Sequence, residues 1–201
     1  DRCLVEFDAH HDGKQALYGI VQGGVYNDLR KQSVDWLHSR PFFGTAVGGC
    51  LGGTDEEMQE IVSWCMENPP EGRPVHLLGI GQIKDIFAFV RMGIDTFDCV
   101  SPTRIARHGW ALMKGEPDQK MNLRNARFKE DPDPLDARVP CKASQNYSRA
   151  YINHLLKAGE LLGIQLLSQH NVAVMNQLMR EIREAIKTDT LDELEKEWIP
   201  A

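Results

Sequence analysis

The feature that most constrains the fold is a unit that repeats between Gln15 and Pro102: a short apolar run, a glycine-rich turn and a stretch of helical periodicity. ALYGIV leads through QGG into VYNDLRKQSVDWLHSR, and FFGTAV leads through GGCLGG into TDEEMQEIVSWCMEN. PVHLLGIG then precedes QIKDIFAFVRMG, and IDTFDCV precedes SPTR. Thr54, with Glu57 three residues later, has the form of a capping box and predicts a helix start. Strands that alternate with helices predict βαβ units around a parallel sheet.

Two architectures fit this alternation, an open doubly wound sheet and a β/α barrel. In a barrel, active groups lie where strands end and loops begin. Unusual residues stand at those points, namely Gln22, Gly23, Gly24, Gly48, Gly49, Gly79, Ile80, Gly81 and Asp98. A complete barrel needs about 250 residues, so four units supply about half of one. The chain also begins with Asp1 rather than Met, and we expect an N-terminal half upstream of it.

The pattern changes after Pro102. Residues 115–145 are polar and contain four of the ten prolines, which predicts an irregular segment. Residues 146–189 return to helical periodicity and predict two helices.

The composition is that of a globular protein, with 42% hydrophobic and 26% charged residues, so the chain can bury a core. No stretch approaches the roughly 18 apolar residues of a membrane span, and the first residues lack the layout of a signal peptide. Five scattered cysteines are an odd number without paired spacing, which indicates a reducing compartment. We therefore expect a cytoplasmic protein without a membrane partner.

The charge is unevenly distributed. A net charge of −6 argues against a general nucleic-acid binder, because such proteins are usually basic. Between Thr103 and Lys129, however, seven Lys or Arg residues stand against Glu116 and Asp118. By charge alone this segment is either a solvated face or a local contact with an anionic partner.

Asp98 and the glycine pairs are the residues with the clearest chemical potential. Asp98 follows an apolar strand, where a carboxylate is costly to desolvate unless it is paired or used. It is therefore a structural partner for a loop or a catalytic group, and a carboxylate can act as a nucleophile without a base to activate it. The glycine pairs are tight turns, phosphate cradles or points of close backbone approach to a ligand.

Several motifs in a fixed order make the sequence more specific. YGIVQGG, GTAVGGCLGG, HLLGIG and FDCVSPTRIARHG are followed by NLRNARF, SRAY and QHN. From about Leu17 to beyond Asn171, this series resembles the tRNA-guanine transglycosylase family. The resemblance implies the α/β class and a (β/α)8 barrel of the TIM type. Residues 1–130 then hold the C-terminal half of the barrel, and residues 131–201 hold a degenerate zinc-type subdomain and C-terminal helices.

The same resemblance implies an activity and its residues. Asp98 corresponds to the nucleophile that attacks the ribose C1′ of the wobble guanosine and expels guanine. A deazaguanine then attacks the covalent intermediate. The base-binding positions fall on Gln22 and Gly49 for the carbonyl edge, Cys50 for the substituent, Leu78 for stacking, and the adjacent Gly48 and Gly52.

Two further sets follow from the resemblance. The tRNA anticodon loop is contacted by residues that match Gly79, Ile80, Gly81, Gln82, Ile83, Lys84, Asp85, Thr103, Arg104, Ile105, Ala106 and Arg107. Guanidinium groups suit this role, because they stack on bases and form forked hydrogen bonds. Tyr147, Tyr151 and His154 share a helical face, which is a core stripe by spacing alone and a homodimer contact by resemblance.

The family's zinc site is degenerate here. Its three cysteines and one histidine fall on Val139, Cys141, Ser144 and His170. Structural zinc takes four nitrogen or sulfur ligands, and valine offers none, so we expect no zinc and no other cofactor.

A second departure concerns the incoming base. Gly52 stands where bacterial members have a valine, and Thr54 stands where family members have a glutamate. A smaller side chain and a missing anion favour queuine over its aminomethyl precursor.

Two other functions stay open: a non-catalytic, tRNA-binding partner subunit of such an enzyme, and an unrelated phosphate-binding β/α-barrel enzyme. In the family, the proton donor and acceptor is an aspartate of the N-terminal half. We therefore expect these 201 residues alone to have low or no activity.

Overall fold

The computed structural model describes residues 1–49, 51–69 and 71–200. Its contacts divide the chain into two compact units, Asp1–Cys99 and Val100–Ala201. The division at residue 130 was drawn from family resemblance and stays a prediction.

The first unit is built on a parallel sheet of four strands in the order β1-β2-β3-β4. The strands are β1 (Tyr18–Val21), β2 (Gly44–Val47), β3 (Val75–Leu77) and β4 (Thr96–Phe97). Ile20 pairs with Ala46, Ala46 with His76, and His76 with Thr96. The predicted mixed α/β class and parallel βαβ units are therefore confirmed, and closure into a barrel stays a prediction.

Helices separate these strands as the periodicity predicts. They are α1 (Arg2–His10), α2 (Asn27–His38), α3 (Asp55–Cys65) and α4 (Ile83–Arg91). The helix start predicted at Thr54 is confirmed, because the Glu57 N–H donates to Thr54 Oγ1 over 3.2 Å. The Glu57 side chain accepts from the Gly53 N–H, one residue before the position that a full capping box uses. An apolar stripe on α4 buries Ile83, Ile86 and Phe89. Burial of such stripes, rather than helix propensity, supplies most of the stability of helices of this length.

The second unit is mostly helical. It contains α5 (Ser101–Arg107), β5 (Trp110–Leu112), β6 (Lys120–Asn122), a 3-10 turn (Ala126–Phe128), α6 (Lys142–Gln145), α7 (Arg149–Ala158), α8 (Leu161–Thr188) and α9 (Leu191–Trp198). The two helices predicted within residues 146–189 are confirmed as α7 and α8. None of the helices in the described part of the chain has the length and apolar character that a membrane crossing needs.

The prediction of an irregular segment over residues 115–145 is partly wrong. Strand β6 pairs antiparallel with β5, with Ala111 opposite Met121. Both of these side chains are buried in the core of the second unit. Strands of three residues carry too few alternating positions for periodicity to reveal them.

Candidate active site

Asp98 follows β4 directly, at the carboxyl end of the sheet. Its Oδ1 accepts two hydrogen bonds, one from the Gly79 N–H and one from the ring of His76, each over 3.1 Å. Its side chain is 59% exposed, and the carboxylate is paired as the sequence analysis requires for an aspartate at this position. The side chain is exposed because β4 is an edge strand of the described sheet. Both described donors bind the same oxygen, Oδ1, and not Oδ2.

His76 is a site residue that sequence reasoning missed. Its Nε2 contacts Asp98, and its Nδ1 lies 2.8 Å from Thr96 Oγ1. A carboxylate only accepts, so Nε2 carries a proton, and the Thr96 hydroxyl can either donate to Nδ1 or accept from it. The side chains of Thr96, His76 and Asp98 therefore form one hydrogen-bonded chain.

A signal for His76 was present in the sequence. Alternation along a strand places Thr96 and Asp98 on one face of β4 and isolates His76 from its buried neighbours Val75 and Leu77. The sequence alone does not show that His76 lies beside Thr96 and Asp98. The register of β3 and β4, in which His76 pairs with Thr96, shows it.

Four of the predicted base-binding residues come together at the ends of β1, β2 and β3. A Cβ added to Gly48 would lie 2.8 Å from Leu78 Cδ1 and 3.6 Å from Gln22 Nε2. One added to Gly49 would lie 2.7 Å from Gln22 Oε1, so the Gln22 amide rests directly on the Gly49 backbone. Gly49 also has φ +85°, a region that side chains disfavour. These glycines therefore give a ligand access to backbone groups.

The remaining base-binding predictions are placed differently. Cys50 lies outside the described residues. Gly52 lies against Glu57: a Cβ added to Gly52 would be 2.6 Å from the Cβ of Glu57. The φ of Gly52 is +88°. A side chain at Gly52 would thus clash with α3 and strain the loop, which explains this glycine without reference to the size of a bound base. Glu57 Oε2 also accepts from the Gly53 N–H over 2.7 Å.

Arg30 hydrogen-bonds to the backbone around this cluster, and the sequence analysis did not predict it. Its side chain is completely buried, and its guanidinium donates to the carbonyls of Gly24 (2.8 Å), Gly48 (2.7 Å) and Val21 (3.3 Å). It also hydrogen-bonds Cys65; burial raises the pKa of that thiol, and Arg30 opposes the rise. A buried charge requires such partners.

The predicted tRNA-binding residues 79–85 divide by exposure. Gly79, Gln82 and Lys84 are exposed, and Lys84 forms an ion pair with Asp55. Ile80 and Gly81 are half-buried, while Ile83 and Asp85 are buried in the first turn of α4. Burial raises the pKa of Asp85.

The predicted tRNA-binding residues 103–107 lie on α5. Arg104 and Arg107 are exposed one helical turn apart, and Ala106 is completely buried. Thr103 and Ile105 are half-buried, and Thr103 Oγ1 donates to the Val100 carbonyl over 3.2 Å. The two guanidinium groups thus share one face of α5 and are available to a partner.

Two of the three predicted dimer residues lie at the surface of the second unit, and the third, Tyr147, is half-buried against its core. Tyr151 and His154 are exposed on α7, and Tyr147 precedes this helix. The rings of Tyr147 and Tyr151 stack with centroids 5.8 Å apart. The interpretation as a core-facing stripe is therefore wrong for Tyr151 and His154, since the helix turns its apolar face, including Ile152 and Leu155, to the core. A homodimer stays a prediction.

The four positions of the degenerate zinc site do not fit a metal. His170 is completely buried, and both of its ring nitrogens are engaged: Nδ1 lies 2.8 Å from Ser144 Oγ, and Nε2 lies 2.7 Å from the Leu112 carbonyl. Burial lowers the pKa of His170. Val139 is buried and apolar, and Cys141 Sγ contacts the Gln169 carbonyl. Across the described ranges, no three His, Cys, Asp or Glu side chains converge as metal ligands do.

We predict that the purified protein contains no stoichiometric zinc and that a chelator leaves its Tm unchanged. The reason is that His170 Nε2 donates to the Leu112 carbonyl, while Nδ1, the nitrogen whose lone pair zinc would require, accepts from the Ser144 hydroxyl. Elemental analysis and thermal unfolding with and without EDTA measure this. The double variant Val139→Cys with Ser144→Cys restores the family's donor set and is the positive control. One zinc per chain in the natural protein, with a Tm that falls in EDTA, would contradict the prediction.

Comparison with known proteins shows the family to which this chain is similar. The sequence model of the family described as Queuine tRNA-ribosyltransferase matches residues 1–201. The queuine tRNA-ribosyltransferase of Roseiflexus sp. is 46% identical over 208 residues, an alignment that covers 98% of this chain and 52% of the relative. Proteins of the same name from Nostoc sp. and Halothermothrix orenii are each 44% identical, over 99% and 95% of this chain.

The chain spans about half the length of the curated relatives it matches. The range that the family model matches, residues 1–201, takes in both units of the chain. The resemblance predicted from the motifs is therefore confirmed, and the chain belongs to the queuine tRNA-ribosyltransferase family.

Proposed function

We propose that the protein containing this chain is a tRNA-guanine transglycosylase, which replaces guanine at the wobble position of the tRNA anticodon with queuine or a related deazaguanine. One observation carries the proposal: the carboxylate of Asp98 lies on the same sheet edge as the base-binding cluster. Asp98 Oδ1 is bound to the Gly79 N–H, and the preceding residue, Leu78, is the neighbour of Gly48. A nucleophile and a site for a planar base thus adjoin.

The reaction is a double displacement at the ribose C1′. Asp98 Oδ2 forms a bond to C1′ while the C1′–N9 bond breaks, and the bonding electron pair leaves with guanine, which takes up a proton. A nitrogen of the incoming deazaguanine loses its proton, attacks C1′ and displaces the Asp98 carboxylate. In the family, the proton passes through an aspartate of the N-terminal half, and we propose the same here. The isolated chain is then expected to exchange bases weakly or not at all.

The base is held by its carbonyl edge and its faces. The Gln22 amide and the Gly49 N–H are donors for the carbonyl oxygen, and Leu78 packs on the ring. Donors aimed at an oxygen that gains negative charge as the base departs stabilise the transition state. Queuine is favoured over its aminomethyl precursor because Thr54 provides no carboxylate for an ammonium group, and competition between the two bases for labelled guanine exchange tests this preference.

Two sets of exposed groups are proposed to contact the tRNA anticodon loop. Gln82 and Lys84 are available beyond β3, and Arg104 and Arg107 share a face of α5. Guanidinium groups stack on bases and bind phosphate in forked pairs. We propose that the enzyme acts in the cytoplasm and that Tyr147, Tyr151 and His154 contact a second copy of the full-length protein.

Trapping of a covalent complex tests the proposal against its alternatives. The full-length protein is incubated with tRNA and separated on a denaturing gel. A transglycosylase gives a band of RNA-linked protein that disappears when guanine is added in excess. A non-catalytic partner subunit binds tRNA in native gels without such a band, and a phosphate-binding barrel enzyme does neither. Either of the latter results would overturn the proposal.

We predict that His76→Phe in the full-length enzyme lowers kcat by roughly tenfold to hundredfold, the effect of a misplaced reacting group. Asp98 would keep the hydrogen bond from Gly79 and lose the one from His76, so Oδ1 is less firmly oriented. The KM for tRNA is expected to stay unchanged, because His76 does not belong to the exposed tRNA-binding groups. Steady-state guanine exchange measures both constants.

His76→Gln is the matched variant, since its side-chain amide can still donate to Asp98. It is expected to recover most of the lost kcat. A kcat of His76→Phe within twofold of the natural enzyme would show that His76 does not orient the nucleophile.

A further inference from the structure

The buried Arg30 belongs neither to the proposed tRNA-binding residues nor to the residues that contact Asp98. Arg30 lies in the first turn of α2. Its guanidinium donates to carbonyls in two loops, Gly24 in the loop after β1 and Gly48 in the loop after β2. These are the loops that carry Gln22 and Gly49. A guanidinium that gives up all contact with water needs several fixed acceptors, so its position defines theirs.

The bond to Gly48 determines where the next amide points. The Gly48 carbonyl and the Gly49 N–H belong to the same peptide group, and no cis peptide occurs among the described residues. In a planar trans peptide, the C=O and N–H bonds point in opposite directions. Arg30 Nη1 lies in the protein interior and donates to the Gly48 carbonyl over 2.7 Å. The carbonyl therefore points inward, and the Gly49 N–H points away from the interior.

Gln22 is tied to the same arginine. The Val21 carbonyl accepts from Arg30 Nη1 over 3.3 Å and from the Gly48 N–H over 3.2 Å, while the Gln22 N–H donates to Ser33 Oγ over 3.1 Å. The loop after β1 and the loop after β2 are thus fastened to each other and to α2. The Gln22 side chain is left resting against Gly49.

We infer that Arg30 is the positioning residue for recognition of the base's carbonyl: it orients the Gly48–Gly49 peptide so that the Gly49 N–H, beside the Gln22 amide, donates to that oxygen. The inference rests on the proposed function. A cation bound to the carbonyl also polarises the peptide, which makes its N–H a stronger donor. Arg30 thereby supports the charge that the leaving guanine acquires, without touching the base.

The test uses the full-length enzyme and two competing purines. Guanine has the carbonyl, and 2-aminopurine lacks it while keeping the ring and the exocyclic amine. The inhibition constant of each is measured against labelled guanine exchange in the natural enzyme and in Arg30→Lys. Lysine keeps the charge but cannot span three carbonyls, because it has one nitrogen and no rigid fork.

Loss of one well-directed hydrogen bond changes affinity by about tenfold. Arg30→Lys is therefore expected to weaken guanine by about this factor and to leave 2-aminopurine within twofold, so that discrimination between the two purines collapses. A merely structural role would weaken both purines equally, and this result would overturn the inference. Arg40→Lys, at a partly exposed arginine bonded to Asp1, is the matched control and should change neither constant.

Two further outcomes complete the test. If Arg30→Lys does not fold, the natural enzyme still decides: equal affinity for guanine and 2-aminopurine would mean that no donor reads the carbonyl, and would overturn the inference, whereas a clear preference for guanine supports it. If the natural enzyme neither exchanges guanine nor forms the covalent complex with tRNA, the proposed function itself fails. Failure of the inference alone leaves exchange intact.

Discussion

Asp98→Asn in the full-length enzyme is expected to abolish base exchange, with kcat lowered by a factor on the order of 10⁵, as for loss of other enzymatic nucleophiles. The amide has nearly the same shape as the carboxylate, and its oxygen can still accept from His76 and Gly79. It lacks the negative charge that attacks C1′ and that stabilises the adjacent cationic ribose. The change therefore removes chemistry while it preserves the local geometry.

Three measurements separate this effect from misfolding. Guanine exchange gives kcat, a denaturing gel gives the covalent tRNA complex, and a native gel gives tRNA affinity. The variant should lose the first two and keep the third within a few-fold. Asp12→Asn, at an exposed aspartate on a loop, is the control and should be unchanged in all three. A covalent complex that persists in Asp98→Asn would assign the nucleophile to another residue.

The largest expected effect on stability belongs to Asn171→Ala. Asn171 is completely buried on α8, and its amide makes three hydrogen bonds. Oδ1 accepts from the Leu112 N–H over 2.7 Å, and Nδ2 donates to the carbonyls of Pro102 (2.8 Å) and Trp110 (3.0 Å). Truncation leaves three backbone groups without this partner, at about 1 kcal/mol or more each, so the free energy of unfolding should fall by roughly 3–5 kcal/mol.

Urea unfolding of the full-length protein measures this loss. Asn176→Ala removes an exposed asparagine from the same helix and should change stability by less than about 0.5 kcal/mol. Because Pro102 lies in α5, Asn171 also fixes the helix that presents Arg104 and Arg107. We expect tRNA affinity to fall in Asn171→Ala under conditions where the protein remains folded. A loss of stability no greater than that of Asn176→Ala would show that the three hydrogen bonds are replaced by water.

The parts of the fold that could be predicted from the sequence are those determined by residues close together in the chain. The alternation of apolar runs and helical stretches predicted β1 to β4 with their helices, because periodicity follows from backbone geometry within one element. The capping box at Thr54 was equally local. The hairpin of β5 and β6 escaped prediction, since its strands are short and its partners lie on either side of a polar turn.

The residues of the candidate site also fall into two groups, those that the sequence predicted and those that it did not. Asp98, Gln22 and the glycine pairs could be predicted, because ordered motifs connect them to a family and the ends of parallel strands share one edge. The roles of His76 and Arg30 could not. Alternation along β3 sets His76 apart from its buried neighbours, and Arg30 lies inside an amphipathic helix, but each acquires its role from a partner on another element.

By itself, the sequence determined the family, the order of the βα units, the residue that acts as the proposed nucleophile, and the replacement of two zinc ligands. Only the tertiary structure shows that two donors bind one oxygen of Asp98, that Arg30 donates to the Gly48 carbonyl, and that His170 hydrogen-bonds to Ser144 and Leu112. The reason is distance along the chain: these contacts join residues 18, 22 and 58 positions apart. Such pairs meet only when strand register and burial bring them together, and no local pattern encodes either.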